Sequence, residues 1–599
     1  MKQIAPIAER IPHFVKFGRV KGQNRGKDAF EKVRTIKDDY FWLRDDERKN
    51  EKVLNHLKKE NEYAKSQTAH LENLRQCLYK EHLSHLKETD DEAPWVHGDF
   101  WYFSKTIEGK SYKIYCRRKR LKNDERLMSD KIAGPVETLL DVNVLAKDLK
   151  VRKQFSIVYP FVHFTYLQHN TALRCQIICN QSRSQRVCIR YVFIYTHIHL
   201  HTYTTHITTA LDATGDEVYE IRVLDLKSKT FVKDDSLPKQ AVGSVRFGKD
   251  AGTLFFMTQD ETKRPYRLYR HKVGSKQKPE LYVLYHPSSN THSHTHTHTN
   301  SLFEENDPQF WLGMWKSRCG DFLFAQTAST ETSEVHALNL SDENALLRVI
   351  QPRQFGLRYD VAHDPRTKSF IVVTNKDKSL NNRIMITSTS KPNMSNWIEF
   401  LPHSESRRLD DVYVFKNHLV IEGREESLPQ VWVVRRGDDD DVFDAKTLSR
   451  VKLGVDGELC DVSVSRNYEF STDFLNLSYS SLTTPKKVLD MNMNDFSNIH
   501  VIKTTPVLNF DSNLYTSRRF FATAPDKTQI PMSLVCRKDV WDLKSDPKSP
   551  MPLHLYVTHL TTHVSTHKFP TNQGTDMVRM EFRSTRTFEG IFYLFLTEV

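Results

Sequence analysis

The chain has 599 residues, 38% hydrophobic and 27% charged, with a formal net charge of +12. That apolar share is enough for a core, so wholesale disorder is excluded, and the length is too great for one ordinary small domain. The basic excess is not gathered into one long run. It permits nonspecific contact with nucleic acid or an anionic membrane and establishes neither, so no specific nucleic-acid or membrane partner is expected.

The opening Met1-Lys2-Gln3-Ile4-Ala5-Pro6 has no apolar stretch long enough for a signal peptide, and no run of 18 apolar residues follows it. No helix is expected to span a bilayer, and a cytoplasmic protein is the expectation. Eight cysteines are sparse for this length and argue against a disulfide scaffold. Cys175, Cys179 and Cys188 cluster, but no paired Cys-x-x-Cys knuckle accompanies them. Neither a metal site nor a cofactor is expected.

Residues 50–88 are rich in Glu, Lys and Leu. Val53, Leu57, Leu71, Leu74, Leu78 and the pair Leu83/Leu86 fit one or two amphipathic helices, with the apolar stripe packed in a core. After residue 90 the period switches. Short runs rich in Val, Ile, Tyr and Phe alternate with turn residues. One class of run recurs as the closing strand of a unit, beginning at Tyr112, Tyr219, Tyr266, Glu334, Arg383, Val431 and Lys487. Four of the six gaps lie near fifty residues. The two long ones, Tyr112 to Tyr219 and Tyr266 to Glu334, each contain a stretch unlike the rest of the chain.

The first such stretch, 151–209, has no Asp or Glu, where simple proportion predicts about seven. It ends in Tyr195-Thr196-His197-Ile198-His199-Leu200-His201-Thr202. The second, His286 to Ser301, contains His292, His294, His296 and His298 alternating with Thr or Ser. A third, from Val557, carries His559, His563 and His567. In a strand, alternate histidines share a face and could bind zinc or nickel. A simpler origin is available. A CA dinucleotide repeat contains only the codons CAC and ACA, so every frame reads His and Thr in alternation. The expectation is translated noncoding sequence at all three places, set aside from fold reasoning as a processing scar would be. Removing the first two restores a period near fifty throughout, which is the range of a propeller blade. Seven units predict a seven-bladed β-propeller, each blade a small antiparallel sheet. A β-sandwich array is the alternative.

Asp39-Tyr40-Phe41-Trp42-Leu43-Arg44-Asp45-Asp46, then a helix, then Phe100-Trp101-Tyr102-Phe103 and Tyr115-Cys116-Arg117-Arg118-Lys119, resembles the prolyl oligopeptidase family of serine peptidases, its oligopeptidase B-like branch above all. Arg264-Pro265-Tyr266-Arg267-Leu268-Tyr269-Arg270-His271, Thr332-Ser333-Glu334-Val335 and Tyr479-Ser480-Ser481-Leu482-Thr483-Thr484-Pro485 extend the resemblance in family order. It covers roughly 1–150, 210–285 and 302–556. It implies a mainly β chain: a seven-bladed propeller, an N-terminal helical extension and only the first strands of an α/β-hydrolase domain. In these terms residues 1–88 are the extension on the hydrolase side. Residues 95–505 are the propeller, with suspect insertions at about 152–209 and 286–301. Residues 510–556 begin the hydrolase domain, and 557–599 are a tail outside the resemblance. The implied partners are short peptides cleaved after Lys or Arg, admitted past the propeller.

The chemistry that would cleave them is missing from these residues. A hydrolase serine sits in Gly-x-Ser-x-Gly, because small neighbours permit the strained turn that presents it. Three glycine pairs have that spacing: Gly18/Gly22, Gly22/Gly26 and Gly248/Gly252. Their centres are Val20, Asn24 and Asp250. The family's Asp and His would lie later still, past Val599. No catalytic residue is therefore assigned, no substrate-binding residue is singled out, and the chain is expected to be inactive; a non-catalytic propeller that binds partners is the alternative. Two further motifs carry little. Gly243-Ser244-Val245-Arg246-Phe247-Gly248-Lys249 matches phosphate-loop spacing until Asp250 replaces the Ser or Thr needed for magnesium. Asp438 to Asp441 is expected to be a solvated acidic hairpin loop rather than a calcium site.

Overall fold

The computed structural model describes residues 4–26, 31–120, 134–148, 199–200, 206–212, 217–233, 237, 241–250, 252–275, 280–281, 303–437, 441–453, 460–538, 555–556, 565–570, 575–583 and 589–597. A hairpin of His13–Phe17 and Arg34–Asp38 comes first. Helix α1 (Glu51–Thr68) starts where Asn50 accepts a hydrogen bond from the Lys52 amide at 3.0 Å and Glu51 places negative charge in the first turn. Helix α2 (Glu72–Ser84) follows.

Seven antiparallel sheets of four or five strands then succeed one another, with inner strands first and outer strands last in six of them. Blade one is built on Phe100–Thr106 and Ile114–Lys119, and blade two on His206–Leu211 and Glu220–Asp225. Blades three to seven begin at Ala241–Phe247, Trp311–Lys316, Tyr359–Asp364, Arg407–Val414 and Cys460–Val464. All seven recurring runs of the sequence fall on the same strand of their blades. It is the third strand rather than the closing one, because a short outer strand of two to six residues follows it in each sheet.

The second strands explain why the blades stack. Side chains alternate between the faces of a strand, and here both faces are covered. In Thr253–Gln259, Leu254 and Phe256 join Ile221 and Val223 of blade two, while Phe255 and Met257 join Leu312 and Leu323 of blade four. In Ser369–Thr374, Phe370 and Val372 meet Phe324 and Val335 of blade four; Ile371 and Val373 meet Leu419 and Ile421 of blade six. Six apolar clusters thus join seven blades in series.

The described contacts between blade seven and blade one are polar or aromatic, without an aliphatic cluster. Lys503 pairs with Asp90 at 2.7 Å and also meets the Asp91 carbonyl. Arg466 lies 3.8 Å from Glu92 and over the Trp95 ring, and the Gly98 amide donates to Glu469 at 2.8 Å. The ring is closed here by charge.

Two expectations need revision. The leucine stripe of α1 and α2 is not core. Val53 is buried, but Leu54, Leu57, Leu71, Leu74, Leu78, Leu83 and Leu86 are all exposed; the described link to the segment that leaves blade seven runs through Ser84–Leu86, past the stripe. The acid-free stretch also reaches too far. Its end overlaps His206–Leu211, whose Ile207, Thr208, Thr209, Ala210 and Leu211 are buried against blade one or within blade two. The remainder of 152–209, apart from the short strand His199–Leu200, and the histidines of 286–301 lie outside the described residues.

Blade three records what the second stretch interrupts. Its third strand pairs Arg270 with Glu280 and Tyr269 with Leu281, then Leu268 with Phe303 and Arg267 with Glu304. The partners along the third strand are consecutive, so Glu280-Leu281 and Phe303-Glu304 form one outer strand with no register gap. Joining Leu281 directly to Phe303 is expected to leave the β-rich circular dichroism intact. It should keep Tm within about 3 °C of the parent, since a shorter connection costs less closure entropy. A drop well beyond that range would show that 282–302 contributes to the fold.

The polar seam makes a second prediction. Burial pushes the Glu92 carboxyl up, but Lys113, Ser104 and Arg466 together outweigh it and hold the carboxyl below its ordinary value. Its stabilising contribution is therefore present above the ordinary carboxylate range and lost as pH falls through the depressed folded value. With the side chain 37% exposed, water screens these pairs, so Glu92→Gln should cost only about 1 kcal/mol. Urea midpoints measured from pH 7 downward should converge for the two proteins.

Candidate functional site

The inner strands carry an unusual set of groups toward the propeller axis. Arg318 follows the inner strand of blade four, yet its guanidinium lies 5.4 Å from the Tyr413 ring and 4.6 Å from the Phe415 ring in blade six. Blade five stands between those blades, so the contact bypasses it on the axial side. Burial pushes the Arg318 guanidinium down to about 10, and its Nε and Nη1 have no hydrogen-bond acceptor among the described residues. Burial likewise lowers Arg246, on the inner strand of blade three. The Tyr468 ring, in blade seven, stacks edge-on against His97 of blade one at 5.4 Å. This is a cationic and aromatic constriction assembled from several blades.

Beside it, the Tyr413 hydroxyl donates to Glu422 at 3.0 Å, and the Val464 amide approaches the same oxygen at 3.3 Å. Burial pushes Glu422 up to about 7, reinforced by the charge of Asp411. These groups can form hydrogen bonds, stack and present positive charge. They supply no nucleophile.

The remaining motifs resolve into structure. Gly18, Gly22 and Gly26 all have positive φ, in the loop of the N-terminal hairpin. A Cβ at Gly26 would meet the Asp307 carboxylate at 2.2 Å, so this glycine is required for the loop to lie against the connection into blade four. An open hollow of about 570 Å³ beside it is lined by residues 19–21 and 23–26, with no Ser, Cys, His or carboxylate. A smaller cavity of about 220 Å³ in blade one is lined by Phe100, Arg117–Lys119 and Pro135–Glu137, where Arg117 pairs with Glu137 at 2.7 Å. The phosphate-loop match is a β-hairpin: the Gly248 amide donates to the Thr253 carbonyl, a strand follows, and Lys249 reaches Ser341 and Asp321. Asp441 ends the acidic loop paired with Arg366; Asp438–Asp440 lie outside the described residues.

One cluster was not foreseen from the sequence. Cys319, Asp321 and His363 bring their ligand atoms within 4.8 Å of one another. Cys319 Sγ is 3.2 Å from His363 Nδ1, yet burial pushes the thiol up to about 11 and the imidazole down, so this is not an activated thiolate–imidazolium pair. The spacing Cys319-Gly320-Asp321 was the available signal, but His363 joins it only through the packing of blade five on blade four.

Beyond the propeller, Tyr515–Thr523 and Gln529–Arg537 form a hairpin, and Leu555–Tyr556 adds to it antiparallel. The strands Ser565–Pro570, Thr575–Arg583 and Glu589–Thr597 form a separate sheet. Among the described residues no helix is long and apolar enough to cross a membrane.

Seven antiparallel blades of four or five strands, followed by a flanking hairpin, define the class: a seven-bladed β-propeller. The chain matches the family model for the prolyl oligopeptidase N-terminal β-propeller domain over residues 20–155, 202–302 and 295–501. It belongs to the prolyl oligopeptidase family, and the proteins it resembles include oligopeptidase B. Protease 2 of Moraxella lacunata is 25% identical over 552 residues, covering 92% of this chain and 65% of the relative. Dipeptidyl aminopeptidase BI of Pseudoxanthomonas mexicana is 26% identical, covering 87% and 62%. The structure of oligopeptidase B from Leishmania major superposes with a TM-score of 0.73 at 30% identity, covering 92% of this chain and 67% of that one. Oligopeptidase B from Trypanosoma brucei with covalently bound antipain gives 0.71 at 30% identity, covering 92% and 66%. The chain thus spans somewhat under two thirds of the length of these curated relatives. The family model leaves 156–201 unmatched, inside the acid-free stretch.

Glu422 provides a test of the constriction's electrostatics. Its folded value lies above its unfolded one, so the fold is favoured at low pH and loses that contribution as pH rises from about 4.5 to about 7. Glu422→Gln should be more stable than the parent at pH 8, by no more than roughly 3 kcal/mol, and should show no advantage at pH 4. A constant difference across that range in urea titrations would contradict this assignment.

Proposed function

We propose that this chain is the propeller-bearing part of an oligopeptidase B-like serine peptidase, and that its propeller admits short peptides and excludes folded proteins. Residues 1–88 and 510–556 belong to the hydrolase side in this reading, and 557–599 to neither part. The observation that carries it is the 30% identity to oligopeptidase B sustained over 92% of the chain. The exposed leucines of α1 and α2, with Leu514 and Phe521, fit a surface that a hydrolase sheet would cover. The reaction would be acyl transfer from a peptide bond, after Lys or Arg, to a serine activated by histidine and oriented by aspartate.

Those three groups are not assigned to any of the 599 residues. Gly-x-Ser-x-Gly does not occur in them, and the described thiol–imidazole pair is neutral. By itself the chain is therefore a screening and binding module. The 599-residue protein should neither cleave Lys- or Arg-terminated peptides nor be labelled by a fluorophosphonate, which needs an activated serine with oxyanion donors in place. Losing one member of a triad leaves residual catalysis only where the oxyanion hole and pocket survive. Labelling of a single serine, blocked by a peptide substrate, would overturn the inactive reading. Saturable binding of a short Lys/Arg peptide without turnover would support the module.

A further inference from the structure

We infer that Cys319, Asp321 and His363 form a binding site for one thiophilic divalent cation, zinc in chemical type, at the seam between blades four and five. Cys319 and Asp321 lie in the turn between Trp311–Lys316 and Phe322–Ala328, and His363 is next to last on the inner strand of blade five. The ligand atoms come from two blades, so the ion would tie those blades together.

The donor set suits zinc. A thiolate, an imidazole and a carboxylate together select a borderline-soft ion over magnesium or calcium, which favour all-oxygen ligands. The spacing also suits it. Ligand atoms around a tetrahedral zinc stand roughly 3.3–3.6 Å apart, from bonds of about 2.0–2.3 Å. Here Sγ and Nδ1 are 3.2 Å apart and all three donor atoms lie within 4.8 Å, so small rotations of Asp321 complete the triangle.

The imidazole is held in place beforehand. Phe322 and Phe370 stand edge-on to the His363 ring at 4.6 and 5.8 Å and aim Nδ1 at the sulfur. Such outer contacts orient a ligand before the metal arrives. Ser317 Oγ is 3.3 Å from the sulfur and accepts from the Phe322 amide at 2.9 Å, so the fourth ligand of a tetrahedral ion would be water.

Two lysines oppose the ion. Lys249 already shares Asp321 at 3.4 Å, and Lys316, donating to the Gly248 carbonyl at 2.6 Å, is pushed down to about 8 by burial. The charges balance nonetheless. Binding replaces the thiol proton, released to solvent, with a metal–sulfur bond. The dication, thiolate and carboxylate sum to zero, leaving the lysines no net charge to repel.

The test uses the full chain freed of metal by chelator dialysis, with Co(II) alone and Zn(II) alone as probes. One equivalent of Co(II) should give a thiolate-to-cobalt charge-transfer band that Zn(II) abolishes. Zinc at about 100 times its Kd should raise Tm by roughly 2–3 °C. Cys319→Ser should lose the band and weaken zinc at least tenfold, and Asp321→Asn should weaken it severalfold. Cobalt bound without the band would place it on the histidine-rich stretches and overturn the assignment, as would a band that survives in Cys319→Ser. If Cys319→Ser does not fold, Asp321→Asn decides: unchanged zinc affinity there overturns the site. None of these readouts depends on peptidase activity, so they stand or fall apart from the proposed function.

Discussion

The fold depends on one constraint: the second strand of a blade is buried on both faces. Leu254-Phe255-Phe256-Met257 and Phe370-Ile371-Val372-Val373 send alternate side chains into two different seams. Each fully buried Leu, Ile or Phe contributes roughly 1.5–3 kcal/mol of apolar transfer, so every blade needs both neighbours. A lone blade would expose one or both faces. The repeat must therefore continue until the ring closes, and closure brings blade seven against blade one.

That last seam uses different physics from the other six. Arg466, Lys503, Glu92, Asp90 and Glu469 meet there through pairs that water can partly reach. Partly exposed pairs are worth little individually and are screened by salt, whereas the apolar seams are not. The ring is accordingly strong along the chain and weaker where its ends meet. The N-terminal helices do not reinforce it. Their contact runs through the end of α2, where His85 meets the Leu508 carbonyl at 2.7 Å and Leu86 bridges Val507. An amphipathic stripe read from a sequence reports that something must cover it. It does not say whether the cover lies within the same residues, and here the leucines lie on helices with no cover among the described residues.

Much of the propeller was legible because burial on two faces leaves a continuous apolar run, and such runs recur near every fifty residues. The strand identity was less legible. The recurring Tyr, Val and Ile runs are third strands, because outer strands such as Arg348–Val349 and Ser449–Arg450 are too short and polar to register as strands in the sequence. The axial groups were not legible at all. Arg318 and Tyr413 lie in different blades and are brought together only by closure of the ring. The same holds for Cys319 and His363, which belong to consecutive blades and meet through packing. Local pattern carries the repeat; chemistry that spans blades appears only once they are stacked.

The contrast between the two suspect stretches follows from where each meets a blade. Glu280-Leu281 and Phe303-Glu304 belong to an outer strand paired with the third strand of blade three, and Phe303 joins the core there. An interruption there leaves the ladder in register, as the consecutive pairing along Arg267–Arg270 shows. The acid-free stretch instead runs into blade two ahead of its second strand. His206–Leu211 keeps its core side chains, with Ile207 and Leu211 facing blade one, and His199–Leu200 pairs with it on its inner side. Ile207 and Leu211 pack there with Trp95, Leu139 and Leu140 of blade one, so the second strand of blade two is fixed by the seam it fills, whatever residues precede it.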